Sequence, residues 1–350
     1  MGTLVCITGG AGYIGRCFTS HLLSSGVKPS DISVIDSMSS RTSRRPPKGV
    51  YFLHADICDR DSLSRWLSNM KPAVVVNLAG LADVLESEQR VHDYLRVNVF
   101  GVQSVVETMC GCLPEFRLIQ ASSCAAHNSG QLLPKSWYGQ TKAFTEDYLK
   151  RVPNSVSFKS SLGAEHGRIL ALRLFNVYGA YIPAFGGEVT SAVVRDIGVG
   201  DPDIYSTRLM QRLALSASAA KTQVTIRNDY VRDYVHIEDV CRALTSAVVE
   251  CVRGTLSEPF QAIDIGTGRG RSTTWIAKHW LRYANATPCY EVSPEQGIND
   301  EIRSPESRSA IANIDAAKRV LHWRPRVPIS RGIRTLQMYM DHVARTGGTT

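Results

Sequence analysis

Six short runs rich in β-branched residues occupy the first half of the chain: "TLVCITG", "ISVIDS", "YFLHAD", "AVVVNLAG", "FRLIQASS" and "RILALRLF". They alternate with amphipathic helical stretches. Continuous apolar runs of this length belong to strands covered on both faces, which is the habit of a parallel sheet. The pattern predicts an α/β fold with a doubly wound, Rossmann-like parallel sheet. After about Gly179 it breaks into loops containing Gly, Pro and Arg, with shorter helices. The expected organisation is a first domain over residues 1–179 and a smaller substrate-binding lobe over 180–350, with some segments of the lobe returning to the first domain.

The first strand-to-helix turn reads "ITGGAGYIG", with glycines at 9, 10, 12 and 15. Gly9 suits the tight turn, Gly12 lets backbone approach a pyrophosphate, and Gly15 permits close packing of the helix. A diphosphate would then meet N–H groups at the positive end of a helix. The spacing is GxxGxxG, but the required strand precedes it and an apolar helix follows, so a merely structural glycine turn is the poorer reading. Asp36 ends the second run in "VIDS". An acid there binds ribose hydroxyls and repels a 2′-phosphate, which favours NAD over NADP. Asp56 and Ile57, after the third run, suit the adenine edge, although an acid after a strand is also commonly a helix cap.

"WYGQTK" places Tyr138 and Lys142 one helical turn apart, on a shared face. That pair alone arises readily by chance. Ser122 and Ser123 close the fifth run, at the strand end where doubly wound sheets meet their ligands. Serine, tyrosine and lysine converging beside a nicotinamide make a proton-transfer set. The lysine would lower the tyrosine pKa, and the tyrosinate would accept a substrate hydroxyl proton.

A formal charge of +8 and a pI near 9.0 suit either nucleic acid or a phosphorylated ligand. No basic run with interleaved aromatics occurs, so the phosphorylated ligand is expected and nucleic acid is not. Arg41, Arg44 and Arg45 read as a solvated loop. The 9 cysteines show no repeated CxxC spacing, which points to reduced thiols and no metal site. No apolar run reaches membrane-spanning length, and the strand-like start leaves no room for a signal peptide, so a cytoplasmic protein is expected. "GTGRG", residues 266–270, lacks an acidic ribose partner and reads as a structural loop rather than a second nucleotide site.

In this order, "TGGAGYIG", "NLAG", "ASS" and "YGQTK" resemble the extended short-chain dehydrogenase/reductase superfamily. "AGLADVLESEQRVHDYLRVNVFG", "LRLFNVYGA", "VRDYVHIEDV", "IDIGTGRGRST" and "AAKRVLHWRP" extend the likeness to its UDP-glucose 4-epimerase family over nearly the whole chain. The resemblance implies Ser123, Tyr138 and Lys142 as the catalytic set. It implies NAD contacts from Gly9, Gly12, Tyr13, Ile14, Gly15, Asp36, Asp56, Ile57, Ala79, Asn98, Tyr138 and Lys142. It implies UDP-sugar contacts from Ser123, Asn176, Arg208, Arg232, Arg303, Glu306 and Ala310, with the arginines on the diphosphate. A homodimer through two helices, one carrying the Tyr/Lys pair, is also implied.

The implied reaction is NAD-dependent inversion at C4 of a UDP-hexose, interconverting UDP-glucose and UDP-galactose through a transient 4-keto sugar. A small residue at Ala310 implies that UDP-N-acetylglucosamine and UDP-N-acetylgalactosamine are accepted too. Departures from the family pattern gather around the sugar: a short Ser123–Tyr138 segment, His127-Asn128, Trp137, Ala82, Arg208 and Pro305. A UDP-sugar decarboxylase, a UDP-pentose epimerase and a non-catalytic NAD-binding regulator stay open. A dehydratase is disfavoured, because Cys124-Ala125 stand where its acid/base pair is expected.

Overall fold

The computed structural model describes residues 4–40, 43–113, 116–127, 134–154, 167–181, 209–218, 223–226, 229–285, 287–292 and 308–345. Arg208, Arg303 and Glu306 lie outside them, as do Arg41, Asn128 and Pro305. Each of the six apolar runs forms a strand: β1 (Val5–Thr8), β2 (Ile32–Asp36), β3 (Tyr51–His54), β4 (Val74–Asn77), β5 (Arg117–Ser123) and β6 (Arg168–Leu174). Among the described residues six further strands follow the first six: β7 (Asn176–Tyr178), β8 (Val224–Ile226), β9 (Val231–His236), β10 (Phe260–Ile265), β11 (Gly270–Ser272) and β12 (Tyr290–Val292), with the two-residue β13 (Ser309–Ala310) beyond them.

A seven-stranded sheet runs β10-β6-β5-β4-β1-β2-β3, with every pairing parallel. The strand order reverses between β1 and β4, the crevice where such sheets hold nucleotides. β1, β2 and β4 are buried at every position, as strands covered on both faces must be. The doubly wound α/β expectation therefore holds.

The helices are α1 (Tyr13–Ser24), α2 (Arg60–Met70), α3 (Val84–Gln89), α4 (Val91–Leu95), α5 (Gly101–Cys112), α6 (Trp137–Arg151), α7 (Leu209–Ala217), α8 (Ile237–Arg253), α9 (Thr273–Ala284), α10 (Asp315–Val320) and α11 (Ile329–Arg345). On one side of the sheet, Phe18 and Leu22 of α1 pack with Val240, Leu244 and Val248 of α8. On the other, Leu63 and Leu67 of α2 pack with Val102, Val105 and Met109 of α5 and Leu149 of α6. A separate apolar cluster joins α7, α9 and α11 through Leu213, Trp280 and Leu336. The smaller ladder runs β11-β9-β13, and β7 pairs with the far half of β9.

Between α4 and α5 the chain makes one π-helical turn, Arg96–Phe100. Such turns break the regular hydrogen-bond ladder and recur at functional sites. Here Asn98 carries the break: its carbonyl accepts from the Thr145 hydroxyl of α6 at 2.8 Å. All 9 cysteines are free thiols. Among the described residues, no helix is long and apolar enough to cross a membrane and no group of three His, Cys, Asp or Glu side chains is placed to hold a metal ion.

Candidate active site

At the end of β1, Gly9 takes a left-handed conformation with φ 67°, and a Cβ there would meet the Ala79 backbone nitrogen at 2.5 Å. A Cβ on Gly15 would strike Gly10 at the same distance, so both glycines are forced by close backbone approach. Gly12 differs. A Cβ on it would meet only the Gly9 carbonyl, at 3.3 Å, so its surface faces open space. Gly12 also caps α1 without a side-chain hydrogen bond, and the first turn of α1 carries no acid. The turn is thus shaped and charged for an anionic group at the helix end. Tyr13 donates its hydroxyl to the Gly179 carbonyl at 2.6 Å, joining α1 to the end of β7, and Ile14 packs against the core.

Asp36 is buried at the end of β2, where its two oxygens accept from the backbone N–H groups of Ala11 at 3.0 Å and Met38 at 2.7 Å. One carboxylate thus fixes the glycine turn and places negative charge beside it. Asp56 accepts from the Cys58 N–H at 2.9 Å and pairs with Arg96 at 2.8 Å. Burial pushes its carboxyl upward, but these two partners win and hold it below the usual range. Ile57 turns its side chain into the core, against the position a Cβ on Gly101 would take. These residues fit a dinucleotide: an open-faced glycine turn, an uncapped helix start, and an acid at the end of β2.

The Tyr/Lys pair lies on the first turn and a half of α6, as the spacing predicts. Three orphan N–H groups at the start of this helix find side-chain acceptors: Gly139 on Ser136 at 3.0 Å, Tyr138 on Ser87 at 3.1 Å, and Trp137 on Glu88 at 2.9 Å. α3 therefore positions Tyr138. The Tyr138 ring meets Tyr94 edge to face at 6.4 Å. Lys142 donates from Nζ to the Ala121 carbonyl of β5 at 3.1 Å and lies 6.0 Å from the Tyr138 ring centroid. Burial lowers its pKa to about 8, opposed by the charge of Glu146. A Cβ on Gly80 would reach that amine at 3.3 Å and the Asn98 Oδ1 at 3.0 Å. Asn98 grips both backbone groups of Leu81, at 2.9 and 3.0 Å, and donates to Thr141 of α6 at 3.2 Å.

The two serines divide. Ser122 donates to Glu146 at 2.5 Å, and Arg173 of β6 forks onto the same carboxylate at 2.6 Å. Ser123 accepts from the Ala125 N–H at 3.1 Å, its oxygen capping a short turn at the strand end. With Lys142 on the Ala121 carbonyl and Glu146 on Ser122, β5 is bolted to α6 at successive residues. Sequence reasoning missed Glu146, whose signal was its place one further turn along the Tyr/Lys face. It also missed Ser87 and Glu88, whose contacts span long sequence distances.

The remaining candidates gather on the smaller ladder. Asn176 opens β7 opposite Tyr234, and Ala310 of β13 is the register partner of Arg232 on β9. The Arg232 guanidinium lies 4.8 Å from the Tyr230 ring centroid. It also opposes the burial that raises the Cys124 thiol to about 11, so its charge is felt at the end of β5. "GTGRG" wraps the buried Asp233, which accepts from the N–H groups of Thr267 and Gly268. Two of its backbone donors are thereby occupied, in keeping with a structural loop.

The family described as "NAD dependent epimerase/dehydratase family" matches residues 5–262. A UDP-glucose 4-epimerase of Yersinia enterocolitica is 28% identical over 303 residues, spanning 79% of this chain and 82% of that protein. One from Erwinia amylovora is 26% identical over 358 residues, spanning 94% of both. Among solved structures, a UDP-glucose 4-epimerase of Stenotrophomonas maltophila with bound NAD and formylated UDP-arabinopyranose superposes with a TM-score of 0.79. It is 22% identical and covers 98% of this chain and 99% of its own.

Proposed function

Because the chain belongs to the NAD dependent epimerase/dehydratase family and NAD is its cofactor, we propose that it inverts C4 of a UDP-hexose. On this reading it interconverts UDP-glucose and UDP-galactose through a transient 4-keto sugar. The observation that carries the reading is the union of Tyr138, Lys142 and the end of β5, fixed by hydrogen bonds from Lys142 to the Ala121 carbonyl and from Ser122 to Glu146. Curated relatives that bear the name UDP-glucose 4-epimerase along most of their length support it.

The cofactor, when bound, accepts and returns a hydride at the sugar carbon. The residues of the chain handle placement and the proton. Tyr138 takes the O4 proton, Ser123 holds the same oxygen, and the buried ammonium of Lys142 favours the tyrosinate. Gly9, Gly12, Tyr13, Ile14, Gly15, Asp36, Asp56, Ile57, Ala79 and Asn98 build the cofactor side. Asn176, Arg232 and Ala310 build the sugar-nucleotide side, joined by Arg208, Arg303 and Glu306. On this reading residues 1–179 form the NAD-binding domain and 180–350 the UDP-sugar lobe, with some segments of the lobe, α8 and β10 among them, returning to the first domain.

The decisive experiment is incubation with UDP-galactose, UDP-N-acetylgalactosamine and UDP-arabinose, followed by NMR for the C4 epimers. Conversion of UDP-galactose without net NADH is expected. Carbon dioxide release or accumulating NADH would replace the epimerase reading. Ala310 is small, so the N-acetylated sugar is expected to turn over as well; its inertness beside active UDP-galactose would remove that extension. A homodimer through α5 and α6 completes the proposal: Phe100 beside α5 and Phe144 on α6 are each 59% exposed. Light scattering should report a dimer, and Phe144→Glu should release monomers.

A further inference from the structure

β11 and β9 run antiparallel with Arg271 directly opposite Arg232. Directly opposed residues of such a pair project from the same face with their Cβ atoms about 5 Å apart, and like charges in that relation repel. Ala310, the register partner of Arg232 on its other side, completes a row across the three strands: Arg271, Arg232, Ala310. The small residue shaping the sugar pocket and the two guanidiniums thus share one face of the ladder.

The two head groups also lean the same way. Arg232 lies over Tyr230, two residues back along the chain and just before β9. Arg271 lies 5.0 Å from the centroid of Trp275, in the first turn of α9. The Thr273 N–H donates to the Tyr230 carbonyl at 3.0 Å, so both aromatic supports stand at one end of the ladder. Arg271 donates to the Gly270 carbonyl at 2.8 Å, and Arg232 to the Val231 carbonyl at 3.0 Å. These carbonyl and ring contacts are themselves neutral and hold each guanidinium in place. Asp229, at this end, accepts from the Thr274 N–H at 2.9 Å and hydroxyl at 2.6 Å, capping α9.

We propose that Arg271 is a second diphosphate-binding residue, which with Arg232 forms a two-guanidinium clamp for a nucleoside diphosphate. The inference rests on the UDP-sugar reading above and adds a residue to it. A diphosphate offers two adjacent phosphoryl groups, and the planar donor fork of arginine matches each. An anion between the two guanidiniums turns their mutual repulsion into attraction for the ligand. The net charge of +8 suits such a partner.

Calorimetric titration of UDP, UMP and inorganic pyrophosphate into the NAD-loaded wild type, Arg271→Gln, Arg271→Lys and Arg232→Gln proteins tests the clamp. Arg271→Gln should weaken UDP binding roughly tenfold to a hundredfold, as for loss of a charged hydrogen-bond donor. Arg271→Lys should recover only part, since the charge survives and the fork does not. UMP, with one phosphate fewer, should respond less to either change. In turnover, Arg271→Gln should raise KM with kcat held, the mark of lost uniform binding. UDP affinity unchanged in Arg271→Gln while Arg232→Gln is impaired would overturn this proposal alone. Pyrophosphate binding as tightly as UDP would overturn the nucleotide as its occupant. A wild type that binds no UDP would overturn the clamp and the UDP-sugar reading together.

Discussion

The two walls of the candidate site are built on opposite terms. On the wall made by β5 and α6, Lys142 and Glu146 are buried, and each reaches across to a named partner on the strand. On the smaller ladder, β11 has three residues and β13 two, and Arg232, Arg271 and Ala310 are all half-exposed. A buried polar network tolerates little change, because any lost partner leaves an unsatisfied group in a low dielectric. A half-exposed arginine is replaced at lower cost, since water takes over its hydrogen bonds. On the proposed function, chemistry is thus anchored where substitution is expensive, and recognition sits where it is cheap. The departures from the family pattern do not spare the first wall: Trp137 opens α6 and His127 follows β5, although Ser123, Tyr138 and Lys142 are all present.

Four experiments break or sharpen this contrast. Tyr138→Phe should lower turnover by roughly 10²- to 10⁴-fold, the usual weight of a general base, while NAD stays bound; full retained activity would move the proton chemistry off this wall. Glu146→Gln should destabilise the fold by about 3 kcal/mol in chemical denaturation, because Arg173 keeps only Asp264, at 3.8 Å, as a described ionic partner. An unchanged denaturation midpoint would show that the bolting of β5 to α6 is dispensable.

The third experiment is the pH profile. Folding lowers the Lys142 pKa from 10.5 to about 8, so between those values the unfolded chain binds more protons than the folded one. Stability of the cofactor-free protein should therefore rise by a few degrees in Tm from about pH 8 to pH 10.5, and Lys142→Met should remove this rise. Turnover should move the opposite way, falling above about pH 8 as the ammonium is lost. Parallel trends in the two profiles would refute the assignment. The smallest effect is expected at Trp137, which is 39% exposed. Its described contact runs through its backbone N–H to Glu88, which Ala retains, so Trp137→Ala should change stability by less than about 0.5 kcal/mol.

Local features were legible in the sequence. Most of the six runs became strands because parallel strands buried on both faces have no polar side to disguise them; β3, at the sheet edge and partly exposed, is the exception. The spacing of Tyr138 and Lys142 reported their shared face because the helical period is fixed. Features set by register were not legible. Nothing local says that Arg271 stands opposite Arg232, because β9 and β11 meet only after α8 and β10 have been traversed. The π-turn at Asn98 was equally silent, since Thr145, far along the chain, satisfies its freed carbonyl. Ser122 and Ser123 look equivalent on paper; burial of Glu146 beside the first separates them.

The place of β10 has a consequence for how the chain is made. It forms the outer edge of the large sheet against β6, yet it leaves the ribosome after β6 has been followed by three other strands and two described helices. Until Phe260–Ile265 arrive, β6 presents a row of unpaired N–H and C=O groups beside an apolar face. A nascent or truncated chain ending short of that strand carries a sticky margin, open to pairing with any extended neighbour. The first domain by sequence is thus not the first unit that can stand alone. Synthesis must run to residue 265 before β6 has its partner and β10, rather than β6, becomes the edge of the sheet.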